Sequence, residues 1–356
     1  MGSVKRFAAV NTKVQALEAK LLSNEDFQQL LAKKSVAEVV RFLKENTAYH
    51  SVLKDVDFEH IHPKGLEILL KKHTAGQMRK LIHYFTGKYR KFFRRLLLRY
   101  EIEDLKVYLR AIIREKDLSP VGEVAILSEE LTGYDREGLL KSKNIRECIE
   151  SLKGTVYYRL LIPYLNERPG EMLFYMEMVL DKLYFRSLSE QAGRLDSEDR
   201  KLVNELLGKN IDLLNLQWIY RGLRFYRLAP EELINYTLQN GYTLNSRKIK
   251  ELCYSKDQEE LVNNMVGSKY GFLFDNKDTL EVFMERRIER YMYFLLLKYR
   301  GRKKMSIIES IVYIHLLEFE VRDIFSVVEA GKYGLDPGQS RAFLIRKISG
   351  GTRLWQ

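Results

Sequence analysis

Six side chains, set in three pairs, have the types and spacing for acid–base or metal chemistry: Glu101 with Asp104, Asp212 with Asn215, and Glu320 with Asp323. Each pair is three residues apart, which on a helix places both groups on one face. Carboxylates so arranged can bind a metal or share acid and base roles. Their recurrence points elsewhere, because an active-site constellation is normally singular and set in one cleft. Three copies favour a structural role, such as pairing with basic residues across a helical module. The other reactive side chains assemble nothing further. His60-Ile61-His62 has no third or fourth ligand at a metal-site spacing and reads as a surface loop. Cys148 and Cys253 belong to no Cys-x-x-Cys and fall at apolar helix positions, as reduced, buried thiols do. Gly87-Lys88 lacks the preceding glycine and the strand of a phosphate loop. No catalytic residue, metal or cofactor is assigned, and the chain is not expected to be an enzyme.

The elements that carry the acids repeat with them. Glu101-Ile102-Glu103-Asp104-Leu105, Asp212-Leu213-Leu214-Asn215-Leu216 and Glu320-Val321-Arg322-Asp323-Ile324 share one pattern, and each continues into two apolar residues, a charge, and Ala or Gly. Their starts at 101, 212 and 320 lie 111 and 108 residues apart. A period of about 110 residues is the size of a small domain, longer than the common helical repeats. Each copy ends in Leu-x-Pro: Leu118-Ser119-Pro120, Leu228-Ala229-Pro230 and Leu335-Asp336-Pro337. Proline cannot continue a helix and pushes the preceding residue out of the α region, so this reads as a recurring stop. A second shared element has capping-box character: Ser35 with Glu38, Asn144 with Glu147, Asp257 with Glu260, each after a lysine. In that motif the polar side chain accepts from the N–H three residues on, and the Glu reaches back to the N–H of the cap itself.

The sequence therefore predicts an all-α chain of three similar helical modules, at 1–120, 121–230 and 231–356. Long amphipathic patterns cover 64–86, 88–116, 171–192, 198–226, 280–299 and 305–332. Shorter ones cover 26–33, 36–45, 145–153, 231–239, 246–254 and 258–266. Leu105, Leu216 and Ile324 occupy equivalent positions and are expected to face module cores. No period-two alternation bounded by turn pairs marks a strand. With 46% hydrophobic residues and only six prolines, buried cores are well supplied. The start of the chain has no apolar core of a secretory signal, and the most apolar stretch, 305–319, is too short and too interrupted to span a bilayer.

A formal charge of +12 favours anionic partners. Within 88–99, Tyr89, Phe92, Phe93, Leu96 and Leu97 form an apolar face, while Arg90, Lys91, Arg94 and Arg95 share the opposite arc. Arg302, Lys303 and Lys304 follow Gly301 between two long helical patterns, as a basic hairpin tip would. A solvated charged face is ordinary on an amphipathic helix. Yet four cations on one arc repel one another unless an acidic surface faces them, so at least one cluster is expected to meet a protein partner.

Asn11-Thr12-Lys13-Val14-Gln15-Ala16-Leu17-Glu18, Glu101 to Lys106 with Leu109-Arg110-Ala111, and Phe319 to Ile324 ending in Tyr333-Gly334-Leu335 together resemble the C subunit of bacterial and archaeal V-type (A-type) ATPases, whose eukaryotic relative is the d subunit. The middle copy departs most, with Asn215 for Asp and Asp212 for Glu. The resemblance implies a non-catalytic, funnel-like rotor subunit of three similar modules in a pseudo-threefold arrangement. In that family it sits on the cytoplasmic face of the membrane-embedded proteolipid ring and receives the tip of the central shaft made by the D and F subunits. It would thereby link ATP hydrolysis or synthesis to proton or sodium transport, with no small-molecule substrate. The alternative is a basic all-helical scaffold for nucleic acid, but no recognised motif is present and the cations are not interleaved with stacking aromatics.

Overall fold

The computed structural model describes residues 3–348, except for 58, 115–121, 123, 277–278 and 303–304. Among the described residues the regular elements are helical, and no strand occurs. The helices are α1 Ser3–Glu18, α2 Asn24–Leu31, α3 Val36–Asn46, α4 His50–Leu53, α5 Pro63–Ile82, α6 Gly87–Ile113, α7 Arg136–Leu140, α8 Ile145–Glu150, α9 Val156–Leu161, α10 Pro169–Ala192, α11 Ser197–Arg221, α12 Pro230–Tyr236, α13 Ser246–Cys253, α14 Gln258–Met265, α15 Leu280–Tyr299, α16 Ile307–Lys332 and α17 Pro337–Arg341. The long amphipathic patterns correspond to α5, α6, α10, α11, α15 and α16. The expected extension past 221 does not continue as α-helix: it becomes a π turn at Gly222–Tyr226, closed by Arg227 in the left-handed region (φ 50°), while 115–116 of the other lie outside the described residues.

The caps show how local chemistry sets these boundaries, with one correction. Ser35, Asn144 and Asp257 accept from the N–H of Glu38, Glu147 and Glu260 at 3.2, 2.9 and 2.9 Å, as the motif requires. The returning carboxylates, however, accept from Lys34, Lys143 and Lys256, one residue before the cap, at 3.0, 2.9 and 2.5 Å. The cause is the cap's φ. At −140°, −149° and −156° the cap's own N–H turns away and the preceding one faces the helix end. Where φ lies near −70°, as at Ser23, Ala229 and Asp336, the third residue of the helix does take the cap's own N–H. The prolines also act differently from a simple stop. Ala229 and Asp336 are extended, as a residue before proline must be, but Pro230 and Pro337 open the next helix, where a missing N–H costs nothing. Pro120 lies outside the described residues.

Residues Met1–Phe85 with Gly267–Gln356 form one compact unit, and Thr86–Val266 form another. In the first, α16 packs against α1, α5 and α15. Its core joins Phe27, Leu30, Val40 and Leu43 from the start of the chain to Val321, Ile324, Val328 and Leu344 from its end. In the second, α6 lies along α10, which also contacts α11. Two ion pairs tie α6 to α10: Lys106 to Asp181 and Arg110 to Glu177, each at 2.5 Å. Leu105, Leu216 and Ile324 all have no solvent exposure. Burial of each such side chain contributes roughly 1.5–3 kcal/mol before cavity effects.

Candidate functional site

The three acid pairs sit deep in the helices that carry them, between 0% and 9% exposed. Their partners are mostly backbone amides, where basic side chains were expected. Asp104, on α6, accepts from the N–H of Ile126 at 2.8 Å and of Leu127 at 3.0 Å. Asp323, on α16, accepts from Ile345 at 2.5 Å and Arg346 at 3.1 Å. Asn215, on α11, accepts from the N–H of Leu238 at 2.7 Å, and its amide donates to the Leu238 carbonyl at 2.9 Å. All three thus fasten a loop 22 or 23 residues further along the chain. The Asn that breaks the acidic pattern has a physical reason: it must donate as well as accept, which an ionised carboxylate cannot do.

The first member of each pair reaches a second loop. Glu101 accepts from Gly133 at 2.7 Å and from the Tyr157 phenol. Asp212 accepts from Thr243 at 2.7 Å and Leu244 at 3.2 Å. Close approach is needed at both loops: a side chain at Gly133 would meet the Glu101 carboxylate, and one at Gly241 would meet that of Asp212. Glu320 differs. Its carboxylate accepts from the Leu22 N–H at 2.6 Å and the Tyr49 hydroxyl at 2.9 Å, 298 and 271 residues back along the chain. Arg346 completes this cluster, with its Nε 3.3 Å from Asp323 and its Nη2 3.6 Å from Glu320. Its Nη1 donates to the Leu22 carbonyl at 2.9 Å, and its guanidinium lies 3.7 Å from the Phe27 ring centroid. Burial dominates the titration here. It raises Glu101, carries Glu320 up to about 7 and Asp323 up to about 6, with the Arg346 charge opposing it at the latter two.

Sequence reasoning found the acids but missed Arg346, Tyr49 and Leu22. The available signal for Arg346 was a pair of cations, Arg346-Lys347, set between the apolar Phe343-Leu344-Ile345 and Ile348. Nothing local distinguishes Leu22 or Tyr49.

The basic residues lie apart from these clusters. Lys91, Arg94 and Arg95 are exposed on α6 and Arg90 is half-buried, while Phe92, Phe93 and Leu96 on the opposite side are buried. Arg95 is close enough to Glu101 to oppose the upward push on its carboxyl. Just upstream, Lys88 pairs with Asp196 at 2.5 Å, and Tyr89 donates to Asp199 at 2.6 Å, so the base of this face is anchored. Arg302 is exposed beside the Tyr299 ring, next to Gly301 at φ 71°. Lys303 and Lys304 lie outside the described residues. His62 caps α5, accepting from Lys64 at 3.2 Å, and His60 pairs with Asp57. Both cysteines are buried, with thiols pushed up to about 12. Among the described residues no group of three or more metal-binding side chains converges, and no helix is long and apolar enough to cross a membrane.

The family described as ATP synthase (C/AC39) subunit matches residues 10–343, nearly the whole chain. The chain belongs to that family. Among its curated relatives, the A-type ATP synthase C subunit of Methanosarcina mazei is 28% identical over 264 residues, covering 74% of this chain and 71% of the relative. That of Methanosarcina acetivorans is 26% identical over 318 residues, 89% and 87% of the two chains. That of Methanocaldococcus jannaschii is 24% identical over 353 residues, 95% and 86%. The C/AC39 match spans all three acid pairs and the basic face of α6, while Ile345 and Arg346, the partners of Asp323, lie just beyond its last residue.

Proposed function

We propose that this C/AC39 chain is a non-catalytic, central-stalk rotor subunit. It would couple the D and F shaft subunits of a rotary ATPase to the proteolipid ring, at the cytoplasmic face of the membrane. The observation that carries this reading is what the six recurring polar groups do. Side chains of the right type for acid–base work are buried and committed to backbone amides. They fasten loops to long helices, as suits a body that transmits torque through packed contacts and needs no reactive group.

The same recurrence supports three similar modules in a pseudo-threefold, funnel-like arrangement, with sequence boundaries near 121 and 231. In this reading the third module draws on the start of the chain, because Glu320 finds its loop at Leu22. The exposed cations Lys91, Arg94 and Arg95, with Arg90 and the Arg302–Lys304 tip, are proposed to face acidic surfaces of the shaft or the ring. Nucleic acid is disfavoured because the aromatic residues of the α6 cluster, Phe92 and Phe93, point into the core and offer no stacking platform.

Reconstitution of the host complex with and without this subunit, following phosphate release and ion uptake together, tests the assignment. Ion transport should depend on the subunit, and the isolated chain should show no turnover. Full ATP-driven transport without it would overturn the reading.

A further inference from the structure

Glu320 and Asp323 are each 1% exposed, and Arg346, at 7%, is the cation set against both of them. From α15, Arg286 and Arg290 also favour ionised Asp323, so Glu320, with the shared Arg346 3.6 Å away, is the less compensated of two buried carboxylates, and an uncompensated buried charge is costly. The two acids are not equally provided for. Asp323 accepts from three N–H groups, those of Ile345 and Arg346 and the Arg346 Nε. Glu320 accepts from one N–H and one phenol. N–H donors favour the ionised form, so a proton taken up by the pair resides on Glu320.

We propose that Glu320, Tyr49 and Arg346 form a proton-loaded clasp that seals the segment from Leu22 to Leu53 onto α16. With Glu320 neutral, Arg346 is left to Asp323. Loss of the proton makes two buried carboxylates share Arg346 and loosens the clasp. The groups facing Glu320 do not replace it as the titrating site. His73, from α5, lies with its ring 5.6 Å from that of Tyr49, and burial pushes it down to about 4, so it stays neutral. The phenols of Tyr49, Tyr313 and Tyr293 are all pushed up from their ordinary value. From α15, Arg286 and Arg290 both favour ionised Asp323; Arg286 is paired with Glu289 at 3.1 Å, and Arg290 donates to the Leu344 carbonyl at 2.8 Å. Lys20 lines the same cavity of about 80 Å³ that Tyr49, His73 and Glu320 border, but its side chain is exposed to solvent. Burial carries Glu320 to about 7, against an ordinary value of 4.5. A raised folded value means that this contribution is complete below the ordinary value and is lost as pH rises through about 7.

The test is hydrogen exchange on the full chain, with protection factors corrected for intrinsic rates, comparing Leu22–Leu31 with Ile145–Glu150 in the other unit. Protection of Leu22–Leu31 should fall by roughly one to two orders of magnitude between pH 5 and pH 8, no more steeply than the tenfold per pH unit that one proton permits. The reference segment should not follow it. Glu320→Gln, neutral at every pH and of the same shape, should flatten the profile. Asp323→Asn, which removes the competing carboxylate, should move the midpoint to lower pH. A fall that persists in Glu320→Gln, a midpoint unmoved by Asp323→Asn, or a parent profile that is flat would each overturn the clasp.

Discussion

The backbone N–H of Leu22 donates to the Glu320 carboxylate at 2.6 Å, across 298 residues of sequence. Glu101 and Asp212 find their loops within 31 or 32 residues. The beginning and end of the chain are therefore joined by the same kind of bond that elsewhere fastens neighbouring segments. Arg346 reinforces the join by donating to the Leu22 carbonyl from the far end of the chain.

Glu320→Ala should accordingly destabilise the chain by roughly 2–5 kcal/mol at pH 5, because it strands two buried donors, the Leu22 N–H and the Tyr49 hydroxyl. Denaturant unfolding, with Glu320→Gln alongside, measures the effect. A loss below about 1 kcal/mol would show that water or a neighbour satisfies both donors.

Leu105, on α6, has no solvent exposure. Leu105→Ala should cost about 2–5 kcal/mol, the range for a core leucine whose surroundings collapse only partly. Leu216→Ala should fall in the same range. Equilibrium unfolding of the two variants checks whether both positions are equally committed to packing.

Asn215→Asp should be destabilising although the side chains match in shape. The amide now donating to the Leu238 carbonyl at 2.9 Å would be replaced by a carboxylate oxygen facing another acceptor. An unsatisfied buried polar group costs about 1–3 kcal/mol, and more when charged. A carboxyl in that position can restore the bond only when protonated, so the deficit should shrink as pH falls from 7 to 4. Thermal midpoints of parent and variant across that range supply the comparison. A deficit independent of pH would count against this account of why Asn occupies the site.

Lys91→Glu combined with Arg94→Glu should weaken assembly with the shaft or ring and leave the thermal midpoint of the free subunit nearly unchanged. Both side chains are exposed, and exposed charges contribute only about 0–1 kcal/mol each to folding. Arg95 is left intact because it also acts on the buried Glu101. Binding measured across a salt titration is the readout, since charge complementarity acts mainly on association rate and salt sensitivity. Assembly that matches the parent at every salt concentration would return this face to a solvated role.

The helices, their caps and their buried faces were legible in the sequence because they depend on neighbours three or four residues apart, and that spacing is written directly in the chain. The positions of α5, α6, α10, α11, α15 and α16, the burial of Leu105, Leu216 and Ile324, and the cap acceptors Ser35, Asn144 and Asp257 all follow from it. Only the tertiary structure decided what the acids hold. A carboxylate on a helix face accepts from whichever amide the fold brings to it, and that amide carries no side-chain signature. Hence Asp104 and Asp323 closed on backbone N–H groups, with Arg346 beside Asp323, Asn215 proved to need its amide donor, and Glu320 closed on Leu22. The cap carboxylates moved to the preceding N–H for a related reason: one backbone torsion, φ of the cap, determines which amide faces the helix end. The elevated Glu320 carboxyl lay still further from view, because desolvation is a property of the assembled core, as is the Arg346 charge that opposes it.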